Sequence, residues 1–275
     1  MENRTDLAVE SFESIDKTAI DGVKVREEDG VTVVTVLNEN GAETIGKPIG
    51  KYITCSVPSF INDTDIFDGR LNKLSTILKS LLPENINSVL VAGVGNLDIT
   101  ADALGPKTNN YVLATRHIIE AEEKPEIFKD IFNVSGVATG VLADTGIESA
   151  EIIKGVVDVT KPSCVIVVDA LAASSSERLG TTVQMSDVGI SPGSGVGNHR
   201  YEISKNTLGI PVVSIGIPTV VSASVISNGQ DNSQMFVTPR EIDRITEQGA
   251  KLIGMTINVC LQKNIGAHDL FSLVG

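Results

Sequence analysis

No tryptophan occurs among the 275 residues, and aromatic side chains make up only 4% of them. A close-packed core therefore has to be assembled mostly from Val, Ile, Leu and Ala. Cysteine is nearly as scarce. Cys55, Cys164 and Cys260 are odd in number, far apart and set in apolar runs, and no CxxC occurs. This argues against a disulfide framework and reads as free, buried thiols in a reducing compartment. Of the three histidines, His117, His199 and His268, none stands in HExxH or another metal-ligand spacing. Positive charge is short too: 22 Lys and Arg face 35 Asp and Glu, for a net charge of −13. Without a basic face there is little to hold phosphates, so a nucleic-acid partner is not expected. No apolar run approaches the roughly 18 residues of a membrane span. The opening "MENRTDLAVESFESIDKTAI" has no apolar stretch of the secretory type. A cytoplasmic protein without a membrane partner is expected.

What is present is a folded composition: 41% hydrophobic residues, 25 glycines and a mean hydropathy of +0.14. Residues 22–37 alternate in strand fashion around Asp29-Gly30, a hairpin signal, and a third strand is expected near 50–56. Leu71, Leu74, Ile77, Leu78 and Leu81 recur at helical spacing and stop at Pro83. From there strand and helix alternate. Short apolar runs at 89–94 and 164–170 predict strands covered on both faces. A weaker strand is expected at 133–138, and others at 181–186 and 211–218. Helices are expected at 106–121, with Pro106 in the first turn, at 147–161 with Ile152, Ile153, Val156 and Val157 inward, and at 239–263. The pattern predicts an α/β fold: a mainly parallel sheet with helices on both faces and a hairpin-rich N-terminal segment.

Sites in open α/β sheets lie beyond the carboxyl ends of the strands. The stretch "VAGVGNLDITADALGP", 91–106, puts Asp102 in the loop after one buried strand, and "VIVVDAL" puts Asp169 at the end of another. Two carboxylates about 4 Å apart repel by roughly 4 kcal/mol at an effective dielectric near 20, so such a pair would hold one proton near neutrality. The ionised member can take a proton from water, and the protonated one can pass a proton to a departing amine. Gly93, Gly95, Ala103 and Gly105 would leave room for a substrate backbone. Spacing alone favours a plainer role for each aspartate, as an N-cap of the following helix. Asp98 reads as a turn residue.

The stretch "DVGISPGSGVGNHR", 187–200, is too rich in glycine and serine for a packed element, and its N–H groups could line an anion or a carbonyl. Its Gly193-x-Gly195 match is weak evidence for a nucleotide, since no helix start of the dinucleotide type follows. In "DTGIESAEII", 144–153, Glu148 most simply complements a helix dipole. Across these loops Gly95, Asn96, Gly146, Glu148, Ser194 and Gly195 are the candidates for substrate contact. A metal held by His199 with Asp102 and Asp169 is the rival arrangement; no cofactor is expected otherwise.

The blocks "GVGNLDITADALGP", "DTGIESAEII", "VIVVDALAASSSERLGTTVQMSDVGISPGSGVGNHR" and "GIPVVSIGIPTVV" resemble, in order, those of the germination protease family of spore-forming bacteria. The resemblance implies a three-layer phosphorylase/hydrolase-like fold akin to hydrogenase-maturation proteases. It implies an endopeptidase that degrades small acid-soluble spore proteins in the spore core, with Asp102 and Asp169 as the essential aspartates. The family has been grouped with both aspartic and metallopeptidases. It also implies an inactive homotetrameric zymogen that removes its own propeptide. Here "RTDLAVE" resembles the processing segment, with the cut between Asp6 and Leu7. Residues 1–6 would then be the propeptide and 7–275 a single protease domain.

Overall fold

The computed structural model describes residues 5–15, 20–62, 65–121, 128–197, 200–227 and 235–275. Nine strands form one mixed sheet: β1 (Val23–Glu28), β2 (Val31–Val36), β3 (Gly50–Ser56), β4 (Ser88–Gly93), β5 (Asn133–Ala138), β6 (Cys164–Ala173), β7 (Thr182–Ser186), β8 (Val212–Ser222) and β9 (Phe236–Val237). Their order is β1-β2-β3-β7-β8-β6-β4-β5, with β9 on the far part of β8. The neighbours β8, β6, β4 and β5 run parallel. The pairs from β1 to β7, and β7 with β8, are antiparallel, as is β8 with β9. The expected hairpin turns at Asp29 and Gly30, both with positive φ, which matches a two-residue turn to the twist of its strands.

Side-chain alternation divides this sheet into two faces. On one, Ile166, Val168, Val183, Met185, Val213 and Ile215 pack with the helices Arg70–Leu81 and Ile242–Leu261. On the other, Val165, Val167, Leu90 and Ala92 meet Ile153 and Val157 of the Ser149–Thr160 helix. Helices on both faces make three layers, as expected. Over the antiparallel half, that second face is covered instead by the N-terminal chain: Leu7, Ala8 and Val9 pack with Val34, Val36, Tyr52 and Leu171. Among the described residues no helix is long and apolar enough to cross a membrane. The three cysteines are buried and free.

The single helix expected at 106–121 is instead broken into Leu104–Thr108, a 3-10 turn at Asn109–Tyr111 and a short helix at Arg116–Ile119. Asn258 of the closing helix explains the break, because its side chain accepts from the Leu113 N–H at 2.9 Å and donates to the Tyr111 carbonyl at 2.7 Å. Tertiary hydrogen bonds thus outcompete a weak helical tendency. The small residues at the strand ends also serve a different purpose. A Cβ at Gly93 would lie 2.2 Å from the Gly105 carbonyl oxygen, and one at Gly105 would lie 2.4 Å from that of Val168. They admit the chain's own Leu104–Thr108 helix against β4 and β6, where substrate backbone was expected.

Candidate active site

β4 ends at Gly93, and the chain passes through Val94 and Gly95 to a 3-10 turn at Thr100–Asp102. Gly95 has a φ of +124°, and a Cβ there would sit 2.0 Å from the Asp102 carbonyl oxygen, so only glycine fits. The Asp102 carboxylate turns back on this loop: its Oδ2 accepts from the Asn96 N–H at 2.7 Å. It does not cap the Leu104–Thr108 helix that follows, whose N-cap is Ala103 and carries no side-chain bond. Asp98 is an exposed turn residue, as expected, with its N–H held by Asn96 Oδ1 at 2.8 Å. Asp169 is not a cap either. β6 continues four residues past it to Ala173, and its Oδ1 accepts from the next N–H, that of Ala170, at 2.9 Å.

Both aspartates line one cavity of about 290 Å³, whose wall also includes Asp6, Gly95, Glu148 and Arg200. Asp169 is 6% exposed. Burial holds its carboxyl well above the ordinary range, and the charges of Asp102 and Asp6 push it the same way. Asp102 is raised as well, chiefly by burial, while the Asn96 N–H and the Arg200 guanidinium favour its charged form. Burial thus favours the neutral form of Asp169, whereas Asp102 has a hydrogen bond and a nearby cation that favour its charged form.

The N-terminal segment reaches this cavity through Asp6. Its Asp6 N–H donates to the Ala172 carbonyl at 2.9 Å. The Asp6 carboxylate accepts from the Ala172 N–H, the Ser194 hydroxyl and the Gly195 N–H, each at 2.8 Å. A Cβ at Gly195 would lie 2.4 Å from Asp6 Oδ2, so the Gly-rich loop closes directly on this side chain. The loop does bind an anion, and the anion is the chain's own. Lys47 Nζ donates to the Thr5 carbonyl at 2.9 Å. Burial pulls the Lys47 ammonium below its usual range, with Asp6 and Glu10 opposing. Four residues on, the buried Glu10 accepts from the Ser174 and Ser175 N–H groups at 2.7 and 3.0 Å, pairs with Arg178 at 3.3 Å and receives the Thr5 hydroxyl. Between these anchors the bond from Asp6 to Leu7 lies against the sheet.

Of the expected contact residues, Gly95 and Glu148 reach the cavity wall, and Ser194 and Gly195 hold Asp6. Glu148 also starts the Ser149–Thr160 helix, its N–H bonded to Glu151 Oε2 at 3.1 Å. Asn96 stands behind Asp102. Gly146 is not on the wall; it ends the Leu142–Thr145 helix at a φ of +69°. His199 lies outside the described residues, and among those described no three His, Cys, Asp or Glu are gathered so as to hold a metal ion. Sequence reasoning missed Lys47, Ala172, Gln184 and Arg200. One signal was available for Gln184: in "TTVQMS" every second residue is polar although the strand is internal.

A profile of the germination protease family matches residues 2–232. A germination protease of Clostridium perfringens is 37% identical over 321 aligned positions, covering 97% of each chain. One of Caldanaerobacter subterraneus subsp. tengcongensis is 39% identical, covering 98% of each. One of Bacillus cereus is 42% identical over 239 positions, covering 82% of this chain and 65% of that protein. Among solved structures, a nickel–iron hydrogenase maturation protease of Thermococcus kodakarensis matches at 19% identity with a TM-score of 0.37, covering 66% of this chain and 99% of that one.

Proposed function

Because the chain belongs to the germination protease family, we propose that it is an endopeptidase that activates water between Asp102 and Asp169. Its first substrate is its own bond from Asp6 to Leu7. Asp102, the more readily ionised member, accepts a proton from water as the oxygen adds to the carbonyl carbon of residue 6. Asp169, held protonated, gives its proton to the Leu7 nitrogen as the C–N bond breaks. A carboxyl terminus at Asp6 and an amino terminus at Leu7 result, and the proton taken by Asp102 restores the pair. Residues 1–6 are the propeptide and 7–275 the protease domain.

The observation that carries this reading is the seat of Asp6, which borders the cavity that Asp102 and Asp169 line, with Leu7, Ala8 and Val9 packed on the sheet beside it. A segment in that position blocks access for any other peptide, as a zymogen requires. The cradle of Ala172, Ser194 and Gly195 supplies three hydrogen-bond donors and would select an acidic side chain before the cut. Small acid-soluble spore proteins are the substrates in trans on this reading, in the spore core, with the zymogen assembled as a homotetramer. The test is to express Asp102→Asn and Asp169→Asn chains and follow the appearance of a Leu7 amino terminus by mass spectrometry, then the cleavage of a small acid-soluble spore protein. Both reactions are expected to stop in both variants. Undiminished activity in either removes that residue from the mechanism.

A further inference from the structure

Gln184 lies on β7, directly across β8 from Asp169: both residues pair with Gly216, one from each side. Residues in register across neighbouring strands project from the same face, so the two side chains flank a position that has none. Two strand spacings put their backbones about 10 Å apart, and between them the Leu171 side chain leans over Gly216. A second cavity of about 280 Å³ is lined by Asp169, Gln184 and Gly216 together, and Asp6 borders it.

The N-terminal segment borders that cavity through Asp6, and Gln184 grips it at two points. Its Nε2 donates to the Asp6 carbonyl oxygen at 3.1 Å, and its Oε1 accepts from the Ala8 N–H at 2.9 Å. These groups stand on either side of the bond from Asp6 to Leu7. The Ala8 N–H can only donate, which fixes the amide with its oxygen toward Ala8 and its NH₂ toward the carbonyl. Gln184 is 8% exposed, so the bond it makes is sheltered from water.

We infer that Gln184 is a further catalytic residue: its amide N–H stabilises the negative charge that develops on the carbonyl oxygen of residue 6 when water adds to that carbon. This rests on the cut proposed above. A neutral donor suits the position. When the carbonyl carbon becomes tetrahedral its oxygen gains charge, and a fixed N–H dipole strengthens its bond to it without reorganising. The acceptor end of the same amide keeps the chain on the leaving side in register, so one side chain orients both halves of the bond.

The test uses full-length chains carrying Gln184→Glu and Gln184→Met. Glutamate keeps an acceptor for the Ala8 N–H and loses the donor once ionised, so its rate is followed to the alkaline end of the pH range; methionine keeps the shape and loses both. Three readouts are taken: the first-order rate at which the Leu7 terminus appears, the melting temperature, and the protection of Glu10 and Glu13 from an added glutamyl-specific protease. Self-cleavage of a seated segment is unimolecular, so its rate reports the chemical step and not affinity. The expected result is a 10²- to 10³-fold slower cut in Gln184→Glu, the usual loss of one such donor, with the segment still protected. Processing within about threefold of the parent by either folded variant overturns the assignment. So does slow processing that always accompanies loss of protection, which would make Gln184 a positioning residue. If the proposed reaction itself is wrong, the parent chain yields no Leu7 terminus, or Asp169→Asn yields it at the parent's rate. Those results are read from chains that still contain Gln184.

Discussion

Replacing Asp169 with asparagine should stabilise the protein, and by an amount that grows with pH. The side chain is almost wholly buried, and its one hydrogen bond among the described residues is from the Ala170 N–H, which an asparagine oxygen can accept equally well. The charged groups that face it are Asp102 from the turn after β4 and Asp6 from the N-terminal segment, and both disfavour a second negative charge. Arg200 and Glu148 share one cavity with it, and Lys47 and Glu202 the other. Its folded pKa is therefore raised above the unfolded value of about 3.9. Below that value both states are protonated and the parent keeps its full stability. As pH rises, the unfolded chain gives up its proton while the folded chain retains one, so stability falls by about 1.4 kcal/mol per pH unit until the folded pKa is reached. Asparagine has no proton to lose and escapes this decline. At roughly 2–4 °C per kcal/mol for chains of 150–250 residues, each pH unit then corresponds to about 3–6 °C in melting temperature. Calorimetric melts of parent and Asp169→Asn between pH 4 and 8.5 check this, with the intact N-terminus verified by mass before each run. The difference should be near zero at the acid end and positive above it. A difference that is flat with pH, or negative near neutrality, would refute the argument that Asp169 is held protonated by burial and its acidic neighbours.

Two further substitutions probe close approaches. Gly195→Ala would place a methyl group 2.4 Å from Asp6 Oδ2 and 2.8 Å from the Ala172 Cβ, so the Asp6 carboxylate should be displaced from its three donors. The N-terminal segment should then become open to added proteases and self-processing should fall at least tenfold; a protected segment processed at the parent rate would contradict this. Gly93→Ala would drive a methyl group to 2.2 Å from the Gly105 carbonyl oxygen, a main-chain atom that cannot rotate away. A loss of about 1–3 kcal/mol is expected by urea denaturation, the usual cost of overpacking, and an unchanged midpoint would be inconsistent with the tight strand–helix approach.

Local periodicity made much of this fold legible. The Asp29-Gly30 hairpin, the strands β4 and β6 and the helices Arg70–Leu81, Ser149–Thr160 and Ile242–Leu261 stand where the apolar spacing places them, because each is long or strongly patterned. What escaped was set by distant partners. The helical segment after Pro106 is opened by the Asn258 amide, 145 residues from Leu113. The short Ala267–Val274 helix follows the closing one because Leu270 is buried and the His268 ring stacks on Phe67 at 4.2 Å. Nor does β6 stop at 170: β8 pairs with it beyond Asp169, and Asp6 bonds to Ala172 near its end. At the site, the strand-end rule brought out Asp102 and Asp169, and glycine density marked the anion-binding loop. Neither rule contains the information that the anion is a side chain from the opposite end of the same chain.

That omission has a physical cause visible in β7. Thr182, Gln184 and Ser186 are all buried, on the face opposite Val183 and Met185. A buried polar row in an internal strand needs hydrogen-bonding partners, since leaving such groups unpaired costs about 1–3 kcal/mol each. For Gln184 the partners are the main-chain groups of Asp6 and Ala8, so strand and segment satisfy each other. A cut between those two grips would leave a new amino group on Leu7, which gains its charge only on reaching water, while the Leu7 side chain is fully buried among Val34, Val36 and Leu171. An uncompensated buried ammonium costs several kcal/mol, whereas the peptide nitrogen it replaces carries no charge. On the proposed reading, the burial that holds the segment against the sheet before the cut therefore works to expel it afterwards, leaving the cleft free for a second peptide.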